Sequence, residues 1–271
     1  MCVNHDRYFH HQGIDFHYQL LGHGPPVVFC HGLTADLEQA KQTLEDLDGY
    51  RLLVWSCRWH GLTRPDCAPQ MLSFGTFADD PAALLDHLGI ERAVIGGLSM
   101  GAGVAAGFAA NHPQRTAALM LVRPAWTDHP RPHNLIVLEQ IADRLDQMPA
   151  DELLRRFQAD PGIIPAAREE PAFAATVQGQ CLAPQARQRA ARLRAMVGSC
   201  PLRPAEIARL SMPSLIIGNE LDPIHPMQTA QWWAAALGHN ALLRQVPPKS
   251  LDLAAHQRAV CREISCFLDR L

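Results

Sequence analysis

Short apolar runs alternate along this chain with stretches of helical spacing. Residues 27–30 (Val-Val-Phe-Cys), 50–55 (Tyr-Arg-Leu-Leu-Val-Trp), 93–95 (Ala-Val-Ile), 117–122 (Ala-Ala-Leu-Met-Leu-Val) and 214–217 (Ser-Leu-Ile-Ile) are nearly continuous in hydrophobic side chains. Strands covered on both faces read this way. Between them, Leu84, Leu85 and Leu88 mark one apolar helix face, opened by Asp79-Asp80-Pro81 as capping carboxylates and a first-turn proline, and stopped by Gly89. Ala102, Ala105, Ala106, Ala109 and Ala110 mark a second helix, and Trp232, Trp233 and Ala236 a third. A last strand over 241–246 and a last helix over 260–268 close the series. At the front, residues 8–11 and 14–18 flank Gln12-Gly13 as two strands joined by a tight turn. The alternation predicts an α/β fold: a mostly parallel sheet begun by an antiparallel hairpin, with helices on both faces.

From Pro124 the strand pattern stops for about 85 residues. Helical spacing takes over in Leu138, Ile141, Leu145 and Met148 and again in Leu153, Leu154 and Phe157, punctuated by prolines such as Pro149, Pro161 and Pro184. A helical cap over residues 124–209, inserted into a core made of 1–123 and 210–271, accounts for this change.

Composition narrows the function. With 271 residues and 48% hydrophobic content the chain can bury one large core, and 24 Lys+Arg against 27 Asp+Glu leave a formal charge of −3. That balance gives no basic field for nucleic acid or an anionic membrane, so the expected partner is a small molecule. No stretch has the roughly 18 consecutive apolar residues of a membrane span, and residues 1–8 lack an apolar signal region, which predicts a cytoplasmic protein. The eight cysteines form no C-x-x-C pair and read as reduced thiols. Among 14 histidines there is no H-E-x-x-H, and His129 and His133 are separated by Pro130 and Pro132, which spoil the helix that such ligation needs; neither metal nor cofactor is expected.

Chemistry concentrates at Gly97-Leu98-Ser99-Met100-Gly101, where the 93–95 strand gives way to a small-residue helix. This is the form of a nucleophile elbow: a strained turn pushes the serine hydroxyl into a cleft, and flanking glycines leave room for it. The Met100 N–H, at the helix N-terminus, faces the same way and suits a developing oxyanion. A dinucleotide loop is the competing reading of these glycines, but the G-x-G-x-x-G spacing fails. His31-Gly32-Leu33 ends the 27–30 strand; His31 is expected to hold that sharp turn, and the Leu33 N–H to supply a second oxyanion donor.

Taken together, His-Gly, then G-x-S-x-G, then the strand-ending Asp222, then a late histidine resembles the α/β-hydrolase superfamily, in which the triad runs Ser, Asp, His. Arg58-Trp59-His60-Gly61-Leu62-Thr63 is similar to that family's R-G-H-G-x-S loop, with Trp59 and Thr63 as departures. The resemblance implies Ser99 as nucleophile, Asp222 as the acid that orients the base, and the Leu33 and Met100 N–H groups as oxyanion hole. The family's Gly-His after the last strand is absent, its place taken by Pro247-Pro248-Lys249-Ser250-Leu251-Asp252. The base therefore falls to His256, about one helical turn further on, or to His225, three residues from Asp222. The expectation is His256, because a side chain so near its partner in sequence has little freedom to reach Ser99. Arg123 is a candidate to bind a substrate carboxylate or to pair with a buried acid, and Trp126 and His31 are further candidate substrate contacts. These readings point to a serine hydrolase cleaving a small ester, lactone, thioester or activated C–C bond through an acyl-enzyme. The alternative is a ligand-binding or non-hydrolytic protein on the same scaffold, which the missing Gly-His supports.

Overall fold

Gln12 and Gly13 both take positive φ, 51° and 76°, and so close the tight hairpin between β1 (Arg7–His11) and β2 (Ile14–Gly22). The computed structural model describes residues 6–182 and 186–271, without the side chains of 186–188. The expectations for residues 1–5 and for Pro184 lie outside the described residues. Six further strands follow: β3 (Pro26–Cys30), β4 (Arg51–Trp55), β5 (Ala93–Leu98), β6 (Thr116–Val122), β7 (Ser214–Gly218) and β8 (Ala241–Gln245). They form one sheet in the order β1-β2-β4-β3-β5-β6-β7-β8, antiparallel as far as β4 and parallel from there to β8.

The helices are α1 (Leu37–Thr43), α2 (Phe74–Phe77), α3 (Asp80–His87), α4 (Met100–Asn111), α5 (Ile136–Gln147), α6 (Ala150–Ala159), α7 (Pro165–Glu169), α8 (Ala174–Leu182), α9 (Ala186–Val197), α10 (Pro204–Ile207), α11 (Met227–Leu237) and α12 (Leu253–Leu268). The apolar runs are continuous because successive residues enter two different cores. Val28, Cys30, Leu119 and Leu121 face one core with α2, α3, α4 and α11, whereas Val27, Phe29, Ala118 and Met120 face the other with α1 and α12. The stretch from α5 to α10, between β6 and β7, adds Leu138, Ile141, Leu145, Leu153 and Phe157 to the first core.

Two local expectations are corrected. Asp79 makes no capping hydrogen bond at the start of α3, and Asp80 is instead buried in an ion pair with Arg58, its Oδ1 2.6 Å from Nη2. The last helix begins at Leu253, capped by Asp252 accepting from the Ala255 N–H at 2.9 Å, which places His256 in its first turn. Among the described residues no helix is long and apolar enough to cross a membrane.

Candidate active site

Ser99 sits at φ 58°, ψ −111° between β5 and α4, a backbone conformation that costs about 1–3 kcal/mol and persists only where its surroundings impose it. They do so through close packing. A Cβ on Gly97 would stand 2.3 Å from the Gly101 backbone, and one on Gly101 2.2 Å from the Cys30 carbonyl oxygen, so strand, turn and helix approach too closely for any side chain at either place. The Ser99 N–H donates to the Val122 carbonyl at 2.9 Å, fixing the elbow to β6, and its side chain borders a cavity of about 460 Å³.

Into this cavity the loop after β7 delivers both remaining members of a hydrogen-bonded row. His225 Nε2 lies 2.9 Å from Ser99 Oγ, and His225 Nδ1 lies 3.1 and 3.0 Å from Asp222 Oδ1 and Oδ2. The same Oδ1 accepts the His225 backbone N–H at 3.1 Å, so the carboxylate fixes both the turn and the ring. Arg123, at the end of β6, donates from Nη2 to Asp222 Oδ2, and the same nitrogen is 3.1 Å from His225 Nδ1. Burial alone would raise the Asp222 pKa; the charges and hydrogen bonds of His225 and Arg123 outweigh it and hold the carboxyl far below its ordinary value. For His225, burial and then the Arg123 charge push the imidazole below its ordinary 6.5, against the upward pull of Asp222. The ring is therefore neutral at pH 7. With Nδ1–H donating to Asp222, its Nε2 lone pair faces the Ser99 hydroxyl.

His256, expected in this row, is not in it; the place beside Ser99 is taken by His225. The His256 ring is 4% exposed and donates from Nδ1 to the Pro247 carbonyl at 2.8 Å, tying α12 to the loop after β8. The reach argument against His225 fails because Asp222 and His225 need not span anything. The Asp222 turn sets residues three apart side by side, and β7 lies beside β6, to which the elbow is pinned. His31 is corrected as a substrate contact: wholly buried, it accepts the Cys57 N–H at Nε2 (3.0 Å) and donates from Nδ1 to the Gly32 carbonyl (2.8 Å), holding the turn. Gln39 on α1 also grips this turn, its Oε1 accepting the Gly32 N–H at 2.8 Å, and the His60 ring lies 2.9 Å from the Leu33 carbonyl. Gln39 went unread because α1 has no strong sequence signal. Leu33 borders the cavity, and the N–H groups of Leu33 and Met100 have no protein acceptor among the described residues. Trp126 borders it too, its buried indole N–H unpartnered and its ring edge-on to Phe74 at 5.1 Å. Arg123 also borders it, but its charge is already taken up by Asp222. Lys249, Ser250, Gln180, Thr34, Gln39 and Thr176 add to the polar lining; the two prolines at 247 and 248 mark a loop, and nothing in the spacing says which of its side chains turns inward. Among the described residues no group of three or more His, Cys, Asp or Glu could hold a metal ion.

Residues 25–167 match the family model described as the alpha/beta hydrolase fold. The chain belongs to the α/β-hydrolase family. One relative, the dihydrolipoyllysine-residue acetyltransferase component of the acetoin cleaving system of Cupriavidus necator, is 37% identical over 114 residues, 41% of this chain but only 30% of that protein's length. The 3-oxoadipate enol-lactonase 2 of Acinetobacter baylyi is 26% identical over 243 residues, 85% of each chain. Among solved α/β-hydrolase-fold structures, the enol-lactonase of Burkholderia xenovorans LB400 superimposes with a TM-score of 0.72 at 20% identity, covering 97% of this chain and 100% of that one.

Proposed function

We propose that this protein is a serine hydrolase that cleaves a carboxylic ester, lactone, thioester or activated C–C bond through an acyl-enzyme. The observation that carries the proposal is the unbroken row from Ser99 Oγ through the His225 ring to Asp222. A serine hydroxyl is a poor nucleophile until a neutral imidazole accepts its proton, and that imidazole needs a carboxylate to fix its tautomer and steady its cation. In this reading Ser99 Oγ attacks the substrate carbonyl while its proton passes to His225 Nε2. The tetrahedral oxyanion is met by the N–H groups of Leu33 and Met100, each contributing about 3 kcal/mol where water is excluded. His225 then returns the proton to the leaving group. Water, deprotonated by the same nitrogen, hydrolyses the acyl-Ser99 ester and regenerates the enzyme.

Residues 124–209 act as a cap over the core of 1–123 and 210–271. Support comes from the cavity, whose wall combines Ser99 and His225 with Ala175, Thr176, Gly179 and Gln180 of α8. The enol-lactonase name of the relative matched over 85% of the chain agrees with cleavage of an acyl–oxygen bond. The case for a non-hydrolytic protein rested on the absent Gly-His, and His225 answers it from another loop. The test is labelling by a fluorophosphonate together with hydrolysis of p-nitrophenyl esters. Wild-type protein should label and turn over, and Ser99→Ala should do neither, losing up to about 10⁶-fold in kcat. Activity persisting in Ser99→Ala would sink the covalent mechanism.

A further inference from the structure

The ionisable side chains lining the cavity are Arg123, Asp222, His225 and Lys249. Arg123 and Asp222 neutralise each other, and His225 is neutral at pH 7. Among the described residues, then, Lys249 brings the one charge to this wall that no ion pair or hydrogen bond answers. Lys249 is exposed to solvent where it borders this wall, but its loop is tethered. Two residues before it the Pro247 carbonyl is held by His256, and the hydroxyl of Ser250 beside it donates to the Leu221 carbonyl at 3.4 Å, so its backbone is anchored to α12 on one side and to the loop bearing Asp222 on the other. Partial burial lowers its pKa first and the Arg123 charge next, with Asp222 pulling the other way. An ammonium that borders a cavity with no partner of its own is available to bind an anion there.

A second observation also points to a ligand. Gln180 on α8 is 4% exposed and borders the same cavity, yet its amide has no protein partner, with Oε1 wholly buried. Buried polar groups are almost always hydrogen-bonded, and one left open on the wall of a cavity is completed by what enters it. Most of the remaining lining is apolar, including Leu33, Leu98, Leu135, Leu138 and Ile224.

Resting on the serine-hydrolase reading, we infer that the substrate carries one carboxylate remote from the scissile carbonyl on an otherwise apolar body, and that Lys249 receives that carboxylate. A monoanion matches the single unpaired cation bordering the cavity, whereas a phosphate dianion would exceed it by one negative charge. Lys249 is thus the specificity-determining residue for an anionic substrate, in the place first assigned to Arg123.

The experiment compares mono-p-nitrophenyl glutarate with p-nitrophenyl pentanoate, acyl chains of the same length that differ by the terminal carboxylate. Wild-type protein should favour the glutarate ester in kcat/KM. Lys249→Met should cut that preference about tenfold, through KM and with folding checked by circular dichroism, and Lys249→Arg should restore most of it. Raising the salt concentration should erode the preference in wild type but not in Lys249→Met. A wild-type enzyme that hydrolyses the pentanoate in a Ser99-dependent way without favouring the glutarate, or a preference that survives in Lys249→Met, overturns the carboxylate inference and leaves the hydrolase reading standing. Hydrolysis of neither ester, with Ser99 unlabelled by fluorophosphonate, overturns both.

Discussion

Two neighbouring loops at the carboxyl end of the sheet do different work. The loop after β7 packs Asp222 and His225 into one turn, and the loop after β8, next to it through the Val246 N–H on the Gly218 carbonyl at 3.0 Å, carries Lys249 and no histidine. In the pattern that the sequence resembles, the imidazole comes from the second loop. Here the imidazole beside Ser99 comes from the first, which meets the triad's spatial requirement of one ring nitrogen near the serine oxygen and the other near a carboxylate. Placing Asp222 and His225 three residues apart also lowers the entropic cost of bringing them together, because one short turn replaces the registration of two separate loops. In the proposed mechanism the loop after β8 is left to contact substrate.

The sharpest way to break this comparison is to remove each histidine in turn. His225→Ala should lower kcat/KM by about 10⁴ to 10⁶-fold, since without a base Ser99 keeps its proton. His256→Ala should stay within about tenfold of wild type, because its ring meets a backbone carbonyl rather than Ser99. The reverse ranking in steady-state kinetics would return the base to α12.

A smaller effect is expected at Arg123, which joins the β6 end to the Asp222 loop. Arg123→Met should cost up to about a hundredfold in kcat/KM by loosening the Asp222–His225 geometry. The pH profile separates this from mere damage. In wild type, burial and the Arg123 charge both hold the His225 pKa below 6.5, so the acid limb of kcat/KM lies below the ordinary histidine range. Removing that cation removes a term that disfavours protonation, so the limb should move to higher pH. A limb that stays in place, or moves lower, would show that Arg123 does not act on the imidazole.

The fold was legible because its signals are local: each strand buried on both faces writes a continuous apolar run, and the elbow is complete within five residues. Helix α1, seven residues with only Leu37 and Ala40 buried, is too short and too weakly patterned to be read. Arg123 could be placed at a strand end, but its meeting with Asp222, 99 residues away, depends on β6 and β7 being neighbours, which no single segment encodes. The imidazole beside Ser99 is hidden from the sequence for a similar reason. Nothing in Asp222-Pro223-Ile224-His225 announces that the carboxylate will accept the His225 N–H and so turn the ring back beside itself, nor that Leu221 will adopt φ 56° just before it. Turn geometry, not sequence distance, decides what His225 can reach.

The smallest expected effect concerns what His256 does instead of catalysis. Its Nδ1–H satisfies the Pro247 carbonyl, and its ring fills a nearly closed space at the start of α12. His256→Ala leaves that carbonyl without its donor and opens room beside it, a loss of about 1–3 kcal/mol if the site does not rehydrate. For a chain of this size each kcal/mol corresponds to roughly 2–4 °C in Tm. Because the gripped carbonyl lies two residues from Lys249, the loosened loop should also weaken binding of carboxylate-bearing esters, raising their KM by a few-fold while kcat on them changes little. His256→Gln, whose amide can also donate to the carbonyl, should recover part of both losses. Thermal unfolding followed by circular dichroism, run beside the glutarate and pentanoate kinetics, reads the two together. A Tm that falls with no change in the glutarate preference would confine His256 to holding the fold and detach it from the loop's role in binding.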